Sequence, residues 1–263
     1  MRNRLIGSIL MALVFALPPF LLAKSARQAG TTKAPAARSS SDIWGVWELA
    51  PGSGHSFAMK EPPPMQPWAA DYFKAVRKGM EHDPKDTATR INEEGRDDMD
   101  PNIQCFPPGP TRIFTGNNHP FEILQVPGRV LIHFERGSLV RQIFLDGREH
   151  PTDRAPNWLG HSTGRWEAGT LVVDTVGLND LTWIDAAGHP HTEALHIVER
   201  FRRIDANTLE NEITFDDPKA YTKPWTVTQL FKFHPDEEIM EDVVCEDHLM
   251  KEHLPKLIRG PKP

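Results

Sequence analysis

Side chains able to take part in chemistry concentrate between Asp146 and Trp225, where histidines and carboxylates recur every few residues. Most of them stand at the ends of short apolar runs. Imidazole and carboxyl groups are the usual general acids and bases of enzymes, because their pKa values can be brought near neutral pH. The predicted acid–base groups are His161, Asp174, His191 and Glu193, and the predicted ligand-binding groups are Trp183, Tyr221, Arg148 and Glu199.

Asp174 and Glu199 each alternate with apolar residues along a predicted strand, in "LVVDTV" and "HIVERF". Residues two apart in a strand share a face, so each carboxylate either meets solvent or enters an apolar interior that raises its pKa. If both point inward, a cavity would hold a carboxylate pair beside a histidine, which suits a lyase, isomerase or hydratase. Alternatively, Asp174 is solvated and Glu199 pairs with Arg141 or Arg202.

The segment "GHPHTEALH" raises the question of a metal site. His189, His191 and Glu193 stand at alternate positions and would face one way on a strand. Pro190 lies between the two histidines, and proline is unsuited to a central strand, so a turn is favoured. We therefore predict no metal and no cofactor, with zinc as the ion to consider if one binds.

Gly160–Gly164, "GHSTG", match the G-x-S-x-G pattern that would make Ser162 a nucleophile. That motif needs a strand before the serine and a helix after it, whose first N–H groups bind the oxyanion. Here the proline-broken "HPTDRAPNWL" precedes the serine, and the β-branched "RWEAGTLVVDTV" follows it. A serine hydrolase is therefore a disfavoured alternative.

Short β-rich runs separated by tight turns dominate the chain from Phe121 onward. They predict an all-β fold: an antiparallel up-and-down meander of about nine or ten strands, closed into a barrel so that no edge is exposed. A β-sandwich is the alternative. The predicted strands are "DIWGVWELA", "FEILQV", "VLIHFE", "LVRQIFL", "STGRW", "TLVVDTV", "ALHIVERFRRI", "TLENEITF", "WTVTQLFKF" and "EIMEDVVCE".

One helix is predicted near 67–79, from Pro67 in the first turn and apolar residues at helical spacing. The segment "CFPPGPTR" is predicted to be stiff and extended. The loop "DDPKAYTKPW" is too long for a hairpin turn and is predicted to cover one end of the barrel.

Residues 1–25 resemble a signal peptide, with Arg2 and Arg4 before an apolar run and small residues at its end. A membrane anchor is the alternative, because the run approaches spanning length. Residues 26–41 are small and polar, as in a flexible linker, and 42–263 would form one domain. We therefore expect a periplasmic or secreted protein.

The net charge of −6, with 36 acidic and 30 basic residues well mixed, lacks the basic face that nucleic-acid binding needs. The predicted partner is a small-molecule ligand or substrate, without nucleic acid and without membrane contact once the leader is removed. Cys105 and Cys245 are the two cysteines. In an oxidising compartment they predict a disulfide, with two buried thiols as the alternative.

Gly45-Val46-Trp47 on the first predicted strand resembles the G-x-W signature of lipocalins and the wider calycin barrels. In that family the tryptophan plugs the closed end of the barrel, which implies the same role for Trp47. The segments "DPNIQCFPPGPTRI", "FLDGREHP", "GHSTGRWEAGTLVVDT" and "EITFDDPKAYTKPWTV" resemble a group of uncharacterised exported bacterial proteins. That resemblance implies export and a shared β fold.

Together these patterns predict an exported protein that binds a small, partly apolar molecule in a barrel cavity. The ionisable groups favour acid–base chemistry of the lyase, isomerase or hydratase type on that molecule. A non-catalytic lipocalin-like binding protein with the same cavity is the main alternative.

Overall fold

The structure is a computed structural model that describes residues 42–51, 57–59, 61–80, 100–102, 106–115 and 119–242. The predicted signal peptide (1–25) and linker (26–41) lie outside the described residues, as do Cys105 and Cys245, so the predictions about them stay predictions. None of the helices in the described part is long and apolar enough to cross a membrane.

Nine strands close into one barrel, in which neighbours in sequence are neighbours in space and β1 also pairs with β9. This confirms the predicted barrel and its mostly antiparallel meander. Closure also excludes the β-sandwich. The strands are β1 (Gly45–Leu49), β2 (Phe121–Val126), β3 (Arg129–Phe134), β4 (Val140–Phe144), β5 (His161–Glu167), β6 (Thr170–Val176), β7 (His196–Asp205), β8 (Thr208–Asp216) and β9 (Trp225–Phe233). The tenth predicted strand is not observed in its described part, residues 238–242.

The helix predicted near 67–79 is confirmed as α1 (Pro67–Met80). It lies against the loops at one end of the barrel. The indole Nε1 of Trp68 donates a hydrogen bond to the carbonyl of Lys219 at 2.7 Å, and Val76 is fully buried.

The segment predicted to be extended before β2 is instead helical and buried. It forms α2 (Gly109–Arg112) and a 3-10 turn (Ile113–Thr115), and all seven residues are buried. Pro110 suits the first turn of a helix, where its missing N–H removes no hydrogen bond. The Phe114 ring lies 4.9–6.2 Å from four core rings, so this segment fills part of the barrel interior; the four belong to Phe121, Phe134, Phe201 and Phe231.

One strand pair departs from the expected antiparallel order. β4 and β5 run parallel, with Ile143 opposite Ser162 and Phe144 opposite Thr163. Parallel neighbours cannot be joined by a hairpin, so the connection must return alongside the barrel. Residues 145–160 form that connection, and their His150 contacts Asp174 on β6 and Thr163 on β5 at the outer face of the barrel.

Candidate functional site

Four side chains form a hydrogen-bonded series on the outer face of the barrel. Nε2 of His150, in the β4–β5 connection, lies 3.0 Å from Oδ1 of Asp174 on β6. Nδ1 of His150 lies 2.8 Å from Nδ1 of His161 at the beginning of β5. Nε2 of His196, at the beginning of β7, also lies 3.0 Å from Oδ1 of Asp174. The carboxylate therefore has a histidine from each of two neighbouring elements.

Proton positions along this series follow from its contacts. A carboxylate only accepts, so with a neutral ring His150 donates from Nε2 and its Nδ1 becomes an acceptor. His161 must then donate from its own Nδ1, which leaves its Nε2 unprotonated. Within the described residues this Nε2 makes no hydrogen bond, although it is not fully enclosed. The series thus ends at a lone pair suited to accept a proton.

An open cleft of about 790 Å³ lies beside His161, between the β4–β5 connection and the barrel. His161 is only 7% exposed, and the Phe144 ring stacks on it at 5.4 Å and 21°. The guanidinium of Arg148 lies 3.9 Å from the centroid of the same Phe144 ring. The cleft is also lined by Arg154, Pro151 and the carboxylates Asp146, Glu149 and Asp153.

The electrostatics of the cleft keep His161 neutral at pH 7. Burial lowers the pKa of His161 below its usual value, and the neighbouring His150, Arg154 and Arg148 lower it further, against a smaller opposing effect of Asp146. Nε of Arg148 donates to both carboxylate oxygens of Asp146, at 2.8 and 3.0 Å. That hydrogen bonding lowers the pKa of Asp146 to about 2.

The hydrogen bond with His196 lowers the pKa of Asp174, so this carboxyl is ionised at neutral pH. The same bond raises the pKa of His196. An ionised Asp174 is the acceptor that the proton positions above require.

Glu199 lies inside the barrel, on the opposite face of the sheet from Asp174. Its cross-strand partner on β6 is Val173, the neighbour of Asp174, so the two carboxylates cannot share a cavity. An ion pair joins Glu199 to Arg141, and both side chains are almost completely buried. The inward-facing carboxylate pair is therefore wrong, and the ion pair with Arg141 is the alternative that the structure bears out. Arg202 pairs instead with Glu210.

Glu199 belongs to a layer of buried polar side chains to which each strand from β4 to β9 contributes one residue. Nε of Arg141 donates to Oγ of Ser162 at 3.1 Å, and Nδ2 of Asn211 donates to Oε1 of Glu199 at 3.2 Å. Apolar core residues lie two positions away along β7, β8 and β9 on both sides. The layer thus lies across the interior that was predicted to hold a ligand. Its members are Arg141, Ser162, Thr175, Glu199, Asn211 and Gln229.

Ser162 lies in this layer and lacks the surroundings of a nucleophile. It is 2% exposed, its Oγ contacts Oγ1 of Thr175 at 2.9 Å, and strand continues on its C-terminal side. Gly160, just before β5, has φ +67 in the left-handed region that favours glycine. The pentapeptide thus begins a strand and is followed by no helix.

The other predicted site residues lie at the barrel end near α1. Nε1 of Trp183 donates to the hydroxyl of Tyr72 at 3.1 Å, and the hydroxyl of Tyr221 donates to the carbonyl of Pro190 at 2.7 Å. His191 is buried, and burial lowers its pKa. Glu193 is exposed. These four residues are therefore separate from the outer cleft.

The contacts of His189 at this end of the barrel were not predicted. Nδ1 of His189 contacts Oδ1 of Asp185 at 2.8 Å, with both side chains buried, and the Phe73 ring of α1 stacks on His189 at 4.3 Å. The loop predicted to cover an end does lie here, because Asp217 accepts hydrogen bonds from the backbone and hydroxyl of Thr192.

Of the predicted site residues, the structure brings His161 and Arg148 to the outer cleft and links Asp174 to His161 through His150. The link that sequence reasoning missed is His150, although its chemistry was visible in "FLDGREHP". Its partner Asp174 is 24 positions away in the chain, and the two meet where the connection between the parallel strands β4 and β5 passes over β6. No local spacing rule could have found it.

A metal ion is commonly held by three or more side-chain ligands, and the described residues bring such a set together at one place. Glu48, His234 and Glu237 alone bring three such atoms within 4.8 Å of one another. The histidine-rich segment with His189, His191 and Glu193 does not.

No protein-family model matches this chain, and no curated protein sequence matches it. The class of protein therefore follows from the geometry. It is a closed, nine-stranded and mostly antiparallel β-barrel that carries a histidine–aspartate network in a cleft on its outer face.

Proposed function

We propose that this protein is an acid–base enzyme of the lyase, isomerase or hydratase type, with His161 as the base and the outer cleft as the substrate site. The observation that carries the proposal is the hydrogen-bonded series from Asp174 through His150 to His161. It holds His161 in the tautomer whose free Nε2 accepts a proton. It also stabilises the imidazolium that forms, because Asp174 is ionised at the far end.

The packing of the interior supports a site outside the barrel. Phe114 lies among four core rings, and a buried polar layer lies across the interior beyond it. The outer cleft, by contrast, is open to solvent and adjoins His161, whose pKa is lowered by burial. A shifted pKa in a cleft is typical of a functional site.

The proposed substrate is a small, partly apolar molecule that carries an anionic group. Phe144 and Pro151 supply apolar wall, while Arg148 and Arg154 supply positive charge close enough to depress the pKa of His161. Arg154 forms no ion pair with any part of the chain that the structure describes, so its guanidinium is available to a carboxylate.

In the proposed reaction, Nε2 of His161 removes a proton from carbon next to a carbonyl or carboxylate group. The electron pair of that C–H bond forms an enolate, whose negative charge Arg154 can offset, since Arg148 is already paired with Asp146. The imidazolium then returns its proton to carbon or to a leaving group. Positioned acid–base groups of this kind contribute roughly 10²–10⁴-fold to a rate.

Hydrogen–deuterium exchange at carbon tests this proposal without knowledge of the full reaction. The protein is incubated in D₂O with sets of small carboxylic acids bearing C–H groups next to a carbonyl, and proton NMR follows the loss of those signals. We expect exchange above the buffer rate, reduced about 100-fold or more in His161→Gln and in His150→Gln. Because the pKa of His161 is lowered, the rate should fall only below about pH 6.5.

His133→Gln is the matched control, since His133 lies on β3, outside the network. Exchange that persists in His161→Gln would contradict the proposal. Binding of a carboxylate without exchange would favour the second candidate, a non-catalytic binding protein of the lipocalin type. The observation that favours that candidate is the closed barrel with Trp47 fully buried in its core, as the calycin resemblance implies. Under either function we propose export to the periplasm or beyond, on the basis of the leader alone.

A further inference from the structure

A separate group of ionisable side chains lies at the seam where β1 and β9 close the barrel. Glu48 is on β1, His234 directly follows β9, and Glu237 is in the next turn. Nε2 of His234 lies 3.3 Å from Oε2 of Glu48, and its Nδ1 lies 3.4 Å from Oε2 of Glu237. In strand order the seam is far from β5 and β6, which carry His161 and Asp174.

Backbone hydrogen bonds hold two of these residues in place. The N–H of His234 donates to the carbonyl of Val46 on β1 at 2.9 Å, and the N–H of Glu237 donates to the carbonyl of His234 at 3.4 Å. The side chains are 24% (Glu48), 32% (His234) and 49% (Glu237) exposed, so an ion and its water can reach them. The cluster is thus built on the closing seam and not on a free loop.

The lysine that faces the cluster in the β1–β9 register forms no ion pair with it. Lys232 stands opposite Glu48 in the register, yet its Nζ donates to Oγ1 of Thr208 on β8 at 2.9 Å. Two carboxylates then surround one imidazole, which leaves a net charge of −2 with a neutral ring and −1 with a protonated ring. A divalent cation would offset this charge.

We propose that Glu48, His234 and Glu237 bind a zinc ion, with water in the fourth position. Zinc takes nitrogen and carboxylate oxygen at about 2.0–2.2 Å in a tetrahedron, whose ligand atoms are therefore about 3.3–3.5 Å apart. The 3.3 Å separation of His234 Nε2 and Glu48 Oε2 matches that edge. The 3.4 Å contact of Glu237 is with the other ring nitrogen, Nδ1, so Glu237, whose ligand atom lies within 4.8 Å of the other two, must turn toward the ion to complete the set. The imidazole nitrogen favours zinc over magnesium or calcium, which prefer oxygen.

Zinc in this position would fasten β1 to β9. Three residue pairs join these two strands, against eight between β8 and β9. An ion that binds the folded chain more tightly than the unfolded chain stabilises it by mass action. The ion would therefore act on barrel closure and not on the outer cleft.

Isothermal titration of the chelator-treated full chain with zinc sulfate at neutral pH tests this inference. We expect one ion per chain, and affinity at least about tenfold weaker in Glu48→Gln, Glu237→Gln and His234→Gln. His133→Gln should bind zinc as the wild type does. Because Glu237 is the most exposed of the three, its variant separates loss of a ligand from loss of the fold, which circular dichroism monitors.

Three outcomes would overturn the inference. The first is the absence of zinc binding tighter than about 1 mM, the weak end of specific affinities. The second is unchanged binding in His234→Gln. The third is binding that is lost in His150→Gln and kept in His234→Gln, which would place the ion in the outer cleft.

Discussion

At the scale of single residues, the contact between Asp174 and His196 makes the outer network sensitive to pH. The hydrogen bond lowers the pKa of Asp174 below 3.8 and raises that of His196 above 6.5. The stabilisation linked to Asp174 is present above pH 3.8 and is lost as the pH falls through the lower pKa that Asp174 has in the folded protein. That linked to His196 is present below 6.5 and is lost as the pH rises through the higher, folded value.

The free energy of unfolding of the wild type should therefore exceed that of His196→Gln, and the difference should be largest between about pH 4 and 6.5. Both side chains are about a third exposed, so solvent screening limits the margin to about 0.5 kcal/mol. Urea unfolding near pH 5.5 and near pH 9 measures it. A margin that is equal at both pH values would show that the pair does not titrate as the structure indicates.

At the scale of elements, the β4–β5 connection decides where the candidate site forms. It carries Arg148, His150 and Arg154 across the outer face and joins β5 through Gly160. Gly160 has φ +67, and a Cβ there would lie 2.7 Å from the carbonyl oxygen of Val176. This glycine thus allows the connection to pass directly over the end of β6 and to deliver His161 beside His150.

Gly160→Ala should lower the free energy of unfolding by about 2–4 kcal/mol, because it adds a backbone clash to the strain of a positive φ. Gly128→Ala is the matched control. Gly128 has φ +77 in the β2–β3 turn, and a Cβ there would meet nothing within 4 Å. Gly128→Ala should therefore lower the free energy of unfolding only by the cost of the positive φ, about 1–2 kcal/mol. Equal losses in urea unfolding would contradict the close approach described for Gly160.

At the scale of the whole molecule, the buried polar layer connects strands on different sides of the barrel. The Arg141–Glu199 ion pair joins β4 to β7, and both side chains are at most 1% exposed. Removing one member of a buried pair leaves the other charge in a poorly solvated interior, whereas replacing both with apolar groups is often tolerated. The layer therefore ties the stability of the barrel to a matched set of side chains.

Glu199→Gln should destabilise the protein by about 3–5 kcal/mol, because the charge of Arg141 loses its counter-ion. The double variant with Arg141→Met and Glu199→Met should lose much less free energy of unfolding than the sum of the losses in the single variants Arg141→Met and Glu199→Met. Glu210→Gln is the surface control, since Glu210 pairs with the exposed Arg202, and it should lose at most about 1 kcal/mol. Chemical denaturation measures each of these variants and the wild type. Additive losses would show that the pair is not coupled.

Much of the fold could be predicted from the sequence, because its signals are local. Short β-rich runs bounded by turns identified β2, β6 and β9 with their observed bounds, and Pro67 with helical spacing identified α1. Because side chains two positions apart in a strand share a face, the sequence also showed which side chains lie on the same face as Asp174 and which lie on the same face as Glu199. His161 and Arg148, which line the outer cleft, and Asp174, which is linked to His161 through His150, were named because of their chemical type.

Only the tertiary structure decided which face of each strand points inward. Both faces of β6 carry valines, so hydrophobicity could not place Asp174 outside, whereas pairing with Arg141 on a distant strand places Glu199 inside. The parallel pairing of β5 with β4 requires the connection that carries His150 to Asp174. Packing against core rings places Phe114, which follows α2, inside the barrel. These are contacts between segments far apart in the chain. Their free energy depends on the closed barrel, so no local pattern encodes them.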